Sequence, residues 1–253
     1  MWCGIDIGAS TAKVVVFDKR IVSTAVIPSK FDTKKTAEDV FEKGLKKAGI
    51  TEKDVECVVA TGYGRIMVPL ASRTVTEITC HAAGAYYLDN QVRTVIDIGG
   101  QDSKGISLDD TGRVQDFVMN DKCAAGTGKF LEVMARALEV ELEDLGGLSM
   151  KSEEKISISS TCTVFAESEV ISHKNQGKKK EDIIAGLHEA IASRIYAMVN
   201  QIPLKEKIMV TGGVAFNQGV VSALETKIGK TVMIAEDPQI VGALGAALLA
   251  RGT

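Results

Sequence analysis

Hydrophobic and polar positions along the chain follow two alternating patterns. An apolar run at Val55–Ala60 is typical of a buried strand, and Lys207–Val210 is predicted as a second, short strand. Apolar residues that recur at helical spacing instead predict helices over Thr36–Ala48, Ile183–Met198 and Ile240–Ala250. Strands that alternate with helices in this way indicate an α/β protein.

One segment of this pattern occurs twice, at residues 5–13 and 96–104. The two copies share an aspartate, a glycine and a lysine at matching positions: Asp6 and Asp97, Gly8 and Gly99, Lys13 and Lys104. Each copy predicts a strand, a glycine turn and a second strand, and polar turns at Asp18–Arg20 and Asp109–Gly112 then close hairpins. The repeat predicts two related domains that face one another, with a boundary near residue 93.

The glycine turn of each copy is suited to binding phosphate. Backbone N–H groups at a tight turn form an anion site, and glycine lets the backbone approach the ligand. Asp6 and Asp97, at the strand ends, are expected to hold a hydrated Mg²⁺ between the halves. The residues that the turns offer to a nucleotide are Gly8, Ala9, Ser10, Thr11 and Lys13 in the first copy, and Gly99, Gly100 and Gln101 in the second.

A strand followed by a glycine turn also occurs without any ligand. Two copies in register, together with a third glycine turn at Thr211–Gly213 after a later strand, favour nucleotide binding. Neither the Gly-x-x-x-x-Gly-Lys-Ser/Thr loop nor the Gly-x-Gly-x-x-Gly fingerprint is present in the sequence. The nucleotide site predicted here therefore differs from that of P-loop and dinucleotide-binding proteins.

The composition of the 253 residues, 45% hydrophobic and 25% charged, is that of an ordinary globular protein. A net charge of -3 and one short basic run, Lys178–Lys180, argue against nucleic-acid binding. No apolar run reaches the roughly 18 residues that a membrane span needs. Asp6 also interrupts what would be the apolar part of a signal peptide. We therefore expect a cytoplasmic protein that binds neither nucleic acid nor membrane.

Five cysteines are expected to be reduced thiols or ligands in that compartment, and no Cys-x-x-Cys pair exists. Cys123 and Cys162 each precede a stretch with helical spacing. Free N–H groups and the helix dipole stabilise a thiolate at such a helix N-terminus. Two such thiols supply half of a four-thiolate iron–sulfur site, which a two-fold dimer would complete. For Cys3, Cys57 and Cys80, an ordinary structural thiol is the preferred interpretation.

The two Asp-x-Gly hairpins and the later Gly-Gly turn resemble those of the superfamily of actin, the 70-kDa heat-shock chaperones and the sugar kinases. The resemblance implies two ribonuclease-H-like domains with ATP in the cleft between them. Residues 1–92 would form domain I and residues 93–239 domain II, and the last helix, 240–253, would pack back on domain I. The residues implied near the adenosine are Gly212, Gly213 and Asn217.

Motifs along nearly the whole chain closely resemble the activator family of 2-hydroxyglutaryl-CoA dehydratase and benzoyl-CoA reductase, above all Asn120–Gly128 and Cys162–Val170. The resemblance implies an ATPase that couples hydrolysis of ATP to ADP, with Mg²⁺, to low-potential electron transfer. It also implies a homodimer that bridges one 4Fe–4S cluster, with Cys123 and Cys162 of each subunit as ligands. The partners would be a 2-hydroxyacyl-CoA dehydratase or a related reductase component, and a ferredoxin or flavodoxin as electron donor.

The catalytic residues are expected in the two repeated turns. Asp6 and Asp97 are joined by Gln101 and Asp102, which are candidates for orienting the attacking water by analogy with other nucleotide hydrolases. Gly126 and Lys129, at the start of the helix after Cys123, are further candidates for contact with the nucleotide.

Two other functions remain open at this point. The first is a small-molecule kinase of the same fold, which would be colourless when purified without oxygen. The second is a regulatory nucleotide-binding module, in which Cys123 and Cys162 would be dispensable.

Overall fold

The structure, a computed structural model, describes residues 1–154, 156–159 and 162–252. The first half of the chain forms a five-stranded sheet in the order β3-β2-β1-β4-β5. Strands β1, β2 and β3 are antiparallel neighbours, whereas β4 and β5 run parallel to β1. The strands are β1 (Trp2–Ile7), β2 (Thr11–Phe17), β3 (Ile21–Pro28), β4 (Cys57–Thr61) and β5 (Arg73–Thr74).

The second half repeats this sheet with the same order and directions. Its order is β10-β9-β6-β7-β8, with β6, β7 and β8 antiparallel and with β9 and β10 parallel to β6. The duplicated hairpin predicted from the sequence is thus confirmed in matching register, since β1 pairs with β2 as β6 pairs with β7. The strands are β6 (Thr94–Ile98), β7 (Ser103–Leu108), β8 (Val114–Asn120), β9 (Ile208–Thr211) and β10 (Met233–Ile234).

Eight helices in the described residues cover the two sheets. They are α1 (Thr33–Ala48), α2 (Glu77–Leu88), α3 (Gly128–Leu138), α4 (Asp144–Ser149), α5 (Thr163–Asn175), α6 (Lys180–Val199), α7 (Gln218–Ile228) and α8 (Val241–Arg251). The three predicted helices are present. None of the helices within the described residues is both long and apolar enough to cross a membrane.

Local capping explains where the predicted boundaries were wrong. Helix α1 begins at Thr33 because the Asp32 carboxylate accepts the backbone N–H of Lys35 at 3.0 Å, which satisfies a free donor of the first turn. Strand β4 begins at Cys57 because a short 3₁₀ turn, Glu52–Asp54, ends just before it.

Helices α2 and α8 cross closely between the two sheets. Glycine makes this approach possible, since a Cβ on Gly245 of α8 would lie 1.7 Å from the carbonyl oxygen of Cys80 in α2. Likewise, a Cβ on Gly84 would lie 2.2 Å from the carbonyl oxygen of Val241. The two helices therefore pack backbone against backbone.

The two crossing helices are exchanged between the halves. Helix α2 precedes residue 93, but Ile78 and Ala82 join the core of the second sheet with Val95 and Ile106. Helix α8 lies at the other end of the chain and packs against the first sheet through Leu244 and its neighbours. The first sheet is thus covered by α8, which follows the second half of the chain, and the second sheet by α2, which lies in the first half. The domain boundary near residue 93 stays a prediction.

Candidate nucleotide site and cysteine pair

A cleft with a volume of about 390 Å³ lies between the carboxyl ends of β1 and β6. Both repeated turns and the glycine turn after β9 open into it, so the duplicated segments meet at one place. The sequence-predicted residues that line the cleft are Asp6, Gly8, Ala9, Ser10, Thr11, Lys13, Asp97, Gly99, Gly100, Gln101, Asp102, Gly212, Gly213 and Asn217.

The two turns are closed by the same backbone hydrogen bond and touch across the cleft. The N–H of Gly8 donates to the carbonyl of Thr11 at 3.1 Å, and that of Gly99 donates to the carbonyl of Asp102 at 2.9 Å. A Cβ on Gly100 would lie 2.1 Å from the hydroxyl of Ser10. Only glycine at this position therefore lets the first and second turns approach so closely.

Lys104 lies at the centre of a buried cluster of charges beneath the second turn. Its Nζ is 2.9 Å from Asp102 Oδ1, 3.2 Å from Asp97 Oδ2 and 3.2 Å from Glu77 Oε2. Burial alone would lower the pKa of Lys104, but the three carboxylates outweigh it and raise the pKa above its ordinary value. Lys104 is therefore a permanently charged group that holds α2, β6 and the second turn together.

Asp97 is held as a carboxylate by its neighbours. Burial raises its pKa, but His81 and Lys104 nearby, with a hydrogen bond from the Thr211 hydroxyl at 2.8 Å, hold that pKa well below its usual range. His81 Nδ1 lies 3.6 Å from Asp97 Oδ1. Both oxygens of Asp97 therefore already have partners within the protein.

The first copy of the repeat is less crowded. Asp6 Oδ2 contacts Lys13 Nζ at 3.4 Å, with 14% of the lysine side chain exposed. The equivalent Lys104 side chain is only 2% exposed and contacts three carboxylates. Of the two repeated aspartates, Asp6 is thus the one with more coordinating capacity left for a hydrated cation.

The sequence interpretation missed Glu77 and His81 as parts of this site, and it named Thr211 only as the start of the third glycine turn, not as a partner of Asp97. Glu77 and His81 are four residues apart at the start of α2, so they lie on one face of that helix. The sequence did offer a signal for these two residues, namely a carboxylate and a histidine at helical spacing just after the Thr76 cap. It did not reveal that this face of α2 meets the second turn, because that contact depends on the tertiary fold.

Gly126 and Lys129 do not line the cleft; they connect the second turn to Cys123. The first backbone N–H groups of α3, those of Gly128 and Lys129, donate to the carbonyls of Gly99 and Gly100 at 2.9 and 2.8 Å. The Lys129 ammonium is turned toward Glu132 at 2.9 Å. The carbonyl of Gly126 accepts a hydrogen bond from the buried hydroxyl of Ser103.

Cys123 lies in a loop, not at the N-terminus of α3 as the sequence suggests. The helix begins only at Gly128, because the Thr127 hydroxyl and N–H both bond to the carbonyl of Ala124 and form a separate turn. Asn120 holds the loop from the other side, with its Nδ2 donating to the Cys123 carbonyl at 2.9 Å. The loop that carries the thiol is thus fixed at both ends.

Cys162 is the N-cap residue of α5, as the sequence predicted. Ser160 and Thr161, the two residues before Cys162, lie outside the described part of the chain. Cys123 and Cys162 are both exposed, whereas Cys3 and Cys80 are buried. Burial raises the pKa of both Cys3 and Cys80 to about 12, so these two thiols are protonated and inert at neutral pH.

The two exposed thiols are the ones that the sequence predicts as ligands of an iron–sulfur cluster. Among the described residues, no group of three or more His, Cys, Asp or Glu side chains gathers in a way that would hold a metal ion. Both thiols are also within electrostatic reach of one cation, Arg194 of α6.

This fold and cleft match a known class of protein. The BadF/BadG/BcrA/BcrD ATPase family model matches residues 3–250, and the chain belongs to that family. It is accordingly an ATPase, with the duplicated α/β fold that the sequence predicted.

Individual relatives are similar over nearly their whole length. The (R)-2-hydroxyglutaryl-CoA dehydratase activating ATPase of Acidaminococcus fermentans is 45% identical over 98% of this chain and 95% of its own. A solved structure, the activator of the 2-hydroxyisocaproyl-CoA dehydratase from Clostridium difficile with bound ADPNP, has a TM-score of 0.94 and 45% identity, covering 99% of this chain and 94% of its own. A ROK family glucokinase from Streptomyces griseus, at 16% identity, has a TM-score of 0.62 over 100% of this chain and 99% of its own, which shows the sugar-kinase fold alone.

Proposed function

We propose that this ATPase is the activator of a 2-hydroxyacyl-CoA dehydratase or of a related acyl-CoA reductase component. One observation carries the proposal. The first two N–H groups of α3 are bonded to the carbonyls of the second phosphate turn, and the loop immediately before that helix carries the exposed thiol of Cys123. A nucleotide-dependent movement of the turn therefore has a direct backbone path to the thiol. The named relatives support the choice of partner.

The thiols supply the redox site of the proposal. Cys123 and Cys162 would hold half of a 4Fe–4S cluster, and a homodimer would provide the other half. When bound, the cluster supplies one-electron transfer at low potential. A ferredoxin or flavodoxin is the proposed electron donor.

The two turns would hold the triphosphate through backbone N–H groups of the first and second copies. Gln101 and Asp102 line the cleft beside those groups and would orient the attacking water. Asp6 would bind a hydrated Mg²⁺, with Asp97 on the far side. The fixed ammonium of Lys104, 2.9 Å from Asp102 Oδ1, restrains the position of that carboxylate.

The adenosine would lie against the glycine turn that follows β9. Gly212 has a φ of 86°, and a Cβ there would lie 2.3 Å from the carbonyl oxygen of Ile98, so only glycine fits. Asn217 caps α7 by accepting the N–H of Val220 at 3.1 Å, and its amide nitrogen lies 3.2 Å from His188 Nε2. Asn217 is thus held rigidly where it lines the cleft.

Metal analysis of protein purified without oxygen tests the redox site. We expect a brown protein with about four irons per dimer. Cys123→Ala and Cys162→Ala should each abolish the iron and its visible absorbance, whereas Cys57→Ala should retain both. Iron at full occupancy in either of the first two variants would refute the ligand assignment.

A reconstitution assay tests the activator role separately. The dimer, ATP and a low-potential reductant are added to an inactive 2-hydroxyacyl-CoA dehydratase, and dehydration of its substrate is followed. Activation that requires both ATP and the two cysteines is the expected result. A colourless protein that phosphorylates a small molecule would instead establish the kinase alternative.

A further inference from the structure

Arg194 is a cation fixed beside the two exposed thiols. It lies on α6, is half-buried, and stacks its guanidinium over the ring of Phe130 at 5.1 Å from the ring centroid. Phe130 is fully buried in the first turn of α3. A planar guanidinium stacked on a buried ring loses much of its freedom, so the charge has a defined position.

The same side chain lies against the loop of Cys123. A Cβ placed on Gly126, within that loop, would be 3.8 Å from the Cβ of Arg194. Burial lowers the pKa of Arg194, and Cys123 and Cys162 act in the opposite direction, which puts both cysteines within electrostatic reach of the guanidinium. Arginine remains charged in proteins at any ordinary pH.

Arg194 lies on a different helix from the segments that carry the two cysteines. Cys123 is tied through α3 to the phosphate turn, and Cys162 is the N-cap of α5, whereas Arg194 projects from the C-terminal half of α6. The basic side chain next to Cys123 in sequence, Lys122, is exposed and therefore screened by solvent and salt. A half-buried charge is screened much less.

We infer that Arg194 is an electrostatic positioning residue of the redox site, whose fixed charge makes the electrostatic potential at Cys123 and Cys162 more positive and raises the reduction potential of a one-electron group bound there. This inference rests on the proposed function. A cluster held by four thiolates is already negative, and the added electron makes it more so. A nearby cation therefore stabilises the reduced form more than the oxidised form.

The first test uses the metal-free, reduced protein and does not depend on any cluster. Cys123 and Cys162 are alkylated with iodoacetate, an anion, and with iodoacetamide, which is neutral, and each site is followed by mass spectrometry. A fixed cation speeds the anionic reagent selectively, so Arg194→Gln should lower the iodoacetate-to-iodoacetamide rate ratio about threefold at low ionic strength. Arg194→Lys should retain most of the ratio.

Arg136→Gln is the matched control, because it removes an exposed arginine from the last turn of α3. Its rate ratio should equal that of the unaltered protein. An unchanged ratio in Arg194→Gln would overturn the inference, whether or not the protein binds iron. Thermal unfolding of each variant establishes that the fold is retained. If Arg194→Gln unfolds, Arg194→Met replaces it, because methionine keeps an unbranched side chain packed on Phe130.

The second test measures the reduction potential of the iron-loaded dimer by titration monitored with electron paramagnetic resonance. Arg194→Gln should disfavour reduction about tenfold, a fall of about 59 mV for one electron. Arg136→Gln should leave the midpoint unchanged. Equal midpoints in the unaltered protein, Arg194→Gln and Arg136→Gln would overturn the inference while leaving the activator proposal intact. The absence of iron from every protein would instead count against the activator proposal. In that case the alkylation ratio would still decide the role of Arg194.

Discussion

At the residue scale, Lys104 shows how the two copies of one motif have diverged. Both copies carry a lysine opposite an aspartate in the hairpin, and the sequence predicts this equivalence. Position in the fold then makes them different, since α2 brings Glu77 to Lys104 but brings no carboxylate within contact of Lys13 among the described residues. The repeated Asp–Lys pair can be predicted from the sequence, whereas the buried charge cluster around Lys104 depends on how α2 packs.

Removing the buried cation tests this difference. Lys104→Met leaves three carboxylates without their shared partner, and we expect the free energy of unfolding to fall by about 3–5 kcal/mol. Lys13→Met is the matched control, because that lysine has one carboxylate partner and reaches solvent. Urea unfolding at pH 7 measures both, and an equal loss in the two variants would contradict the buried-cluster account.

His188 provides a residue-scale prediction about pH. Burial lowers its pKa to about 4, whereas an unfolded histidine binds a proton near pH 6.5. Acid therefore favours the unfolded chain, and stability is lost progressively as pH falls from about 6.5 toward 4, by about 2 kcal/mol at pH 5.

Urea unfolding between pH 7 and pH 5 measures this loss. His188→Gln should remove most of the acid-dependent part, although it lowers stability at pH 7 by disturbing the contact with Asn217. An unchanged slope in His188→Gln would show that another group is responsible.

At the element scale, the link between the phosphate turn and the Cys123 loop is the feature that the sequence only suggested. The second turn and Cys123 are close in sequence, but the start of α3 was expected at Gly126, just after the thiol. It lies further along because Thr127 and Asn120 form their own hydrogen bonds with the loop. Side-chain to backbone bonds of this kind compete with helix formation, and pattern alone does not predict which one prevails.

Two serines on β7 test the link between the second phosphate turn and the Cys123 loop. Ser103→Ala removes the hydroxyl that bonds to the Gly126 carbonyl, and we expect a loss of about 1–2 kcal/mol together with faster alkylation of Cys123. Ser107→Ala is the control, since its buried hydroxyl has no hydrogen-bond partner among the described residues. Alkylation of Cys123 at the same rate in both variants would mean that Ser103 does not hold the loop.

At the scale of the whole molecule, the nucleotide cleft and the thiols are expected to be energetically coupled. ATP and ADP should set different reduction potentials for the bound cluster, because they hold the two turns differently. A coupling of about 1–3 kcal/mol corresponds to a shift of tens to about a hundred millivolts for one electron.

Potentiometric titration of the dimer with ADP and with a non-hydrolysed ATP analogue measures this shift. By linkage, the redox state must change the affinity for the nucleotide by the same free energy, and equilibrium binding to oxidised and reduced protein checks it independently. Identical midpoints and identical affinities would describe an ATPase and a redox site that share a chain without communicating.

The exchange of α2 and α8 has a consequence for how the protein can be divided. A chain cut after residue 92 would leave α2 on one fragment and the sheet it covers on the other, while α8 would be separated from Val15 and Phe17. Each fragment would then present a bare apolar sheet face and a helix without a surface to cover. Neither fragment is a modular unit that could be transplanted or expressed alone. Fragments that are produced together have complementary surfaces and should reassemble. The position after residue 92 is therefore a natural site for a split form of the protein that is reconstituted conditionally.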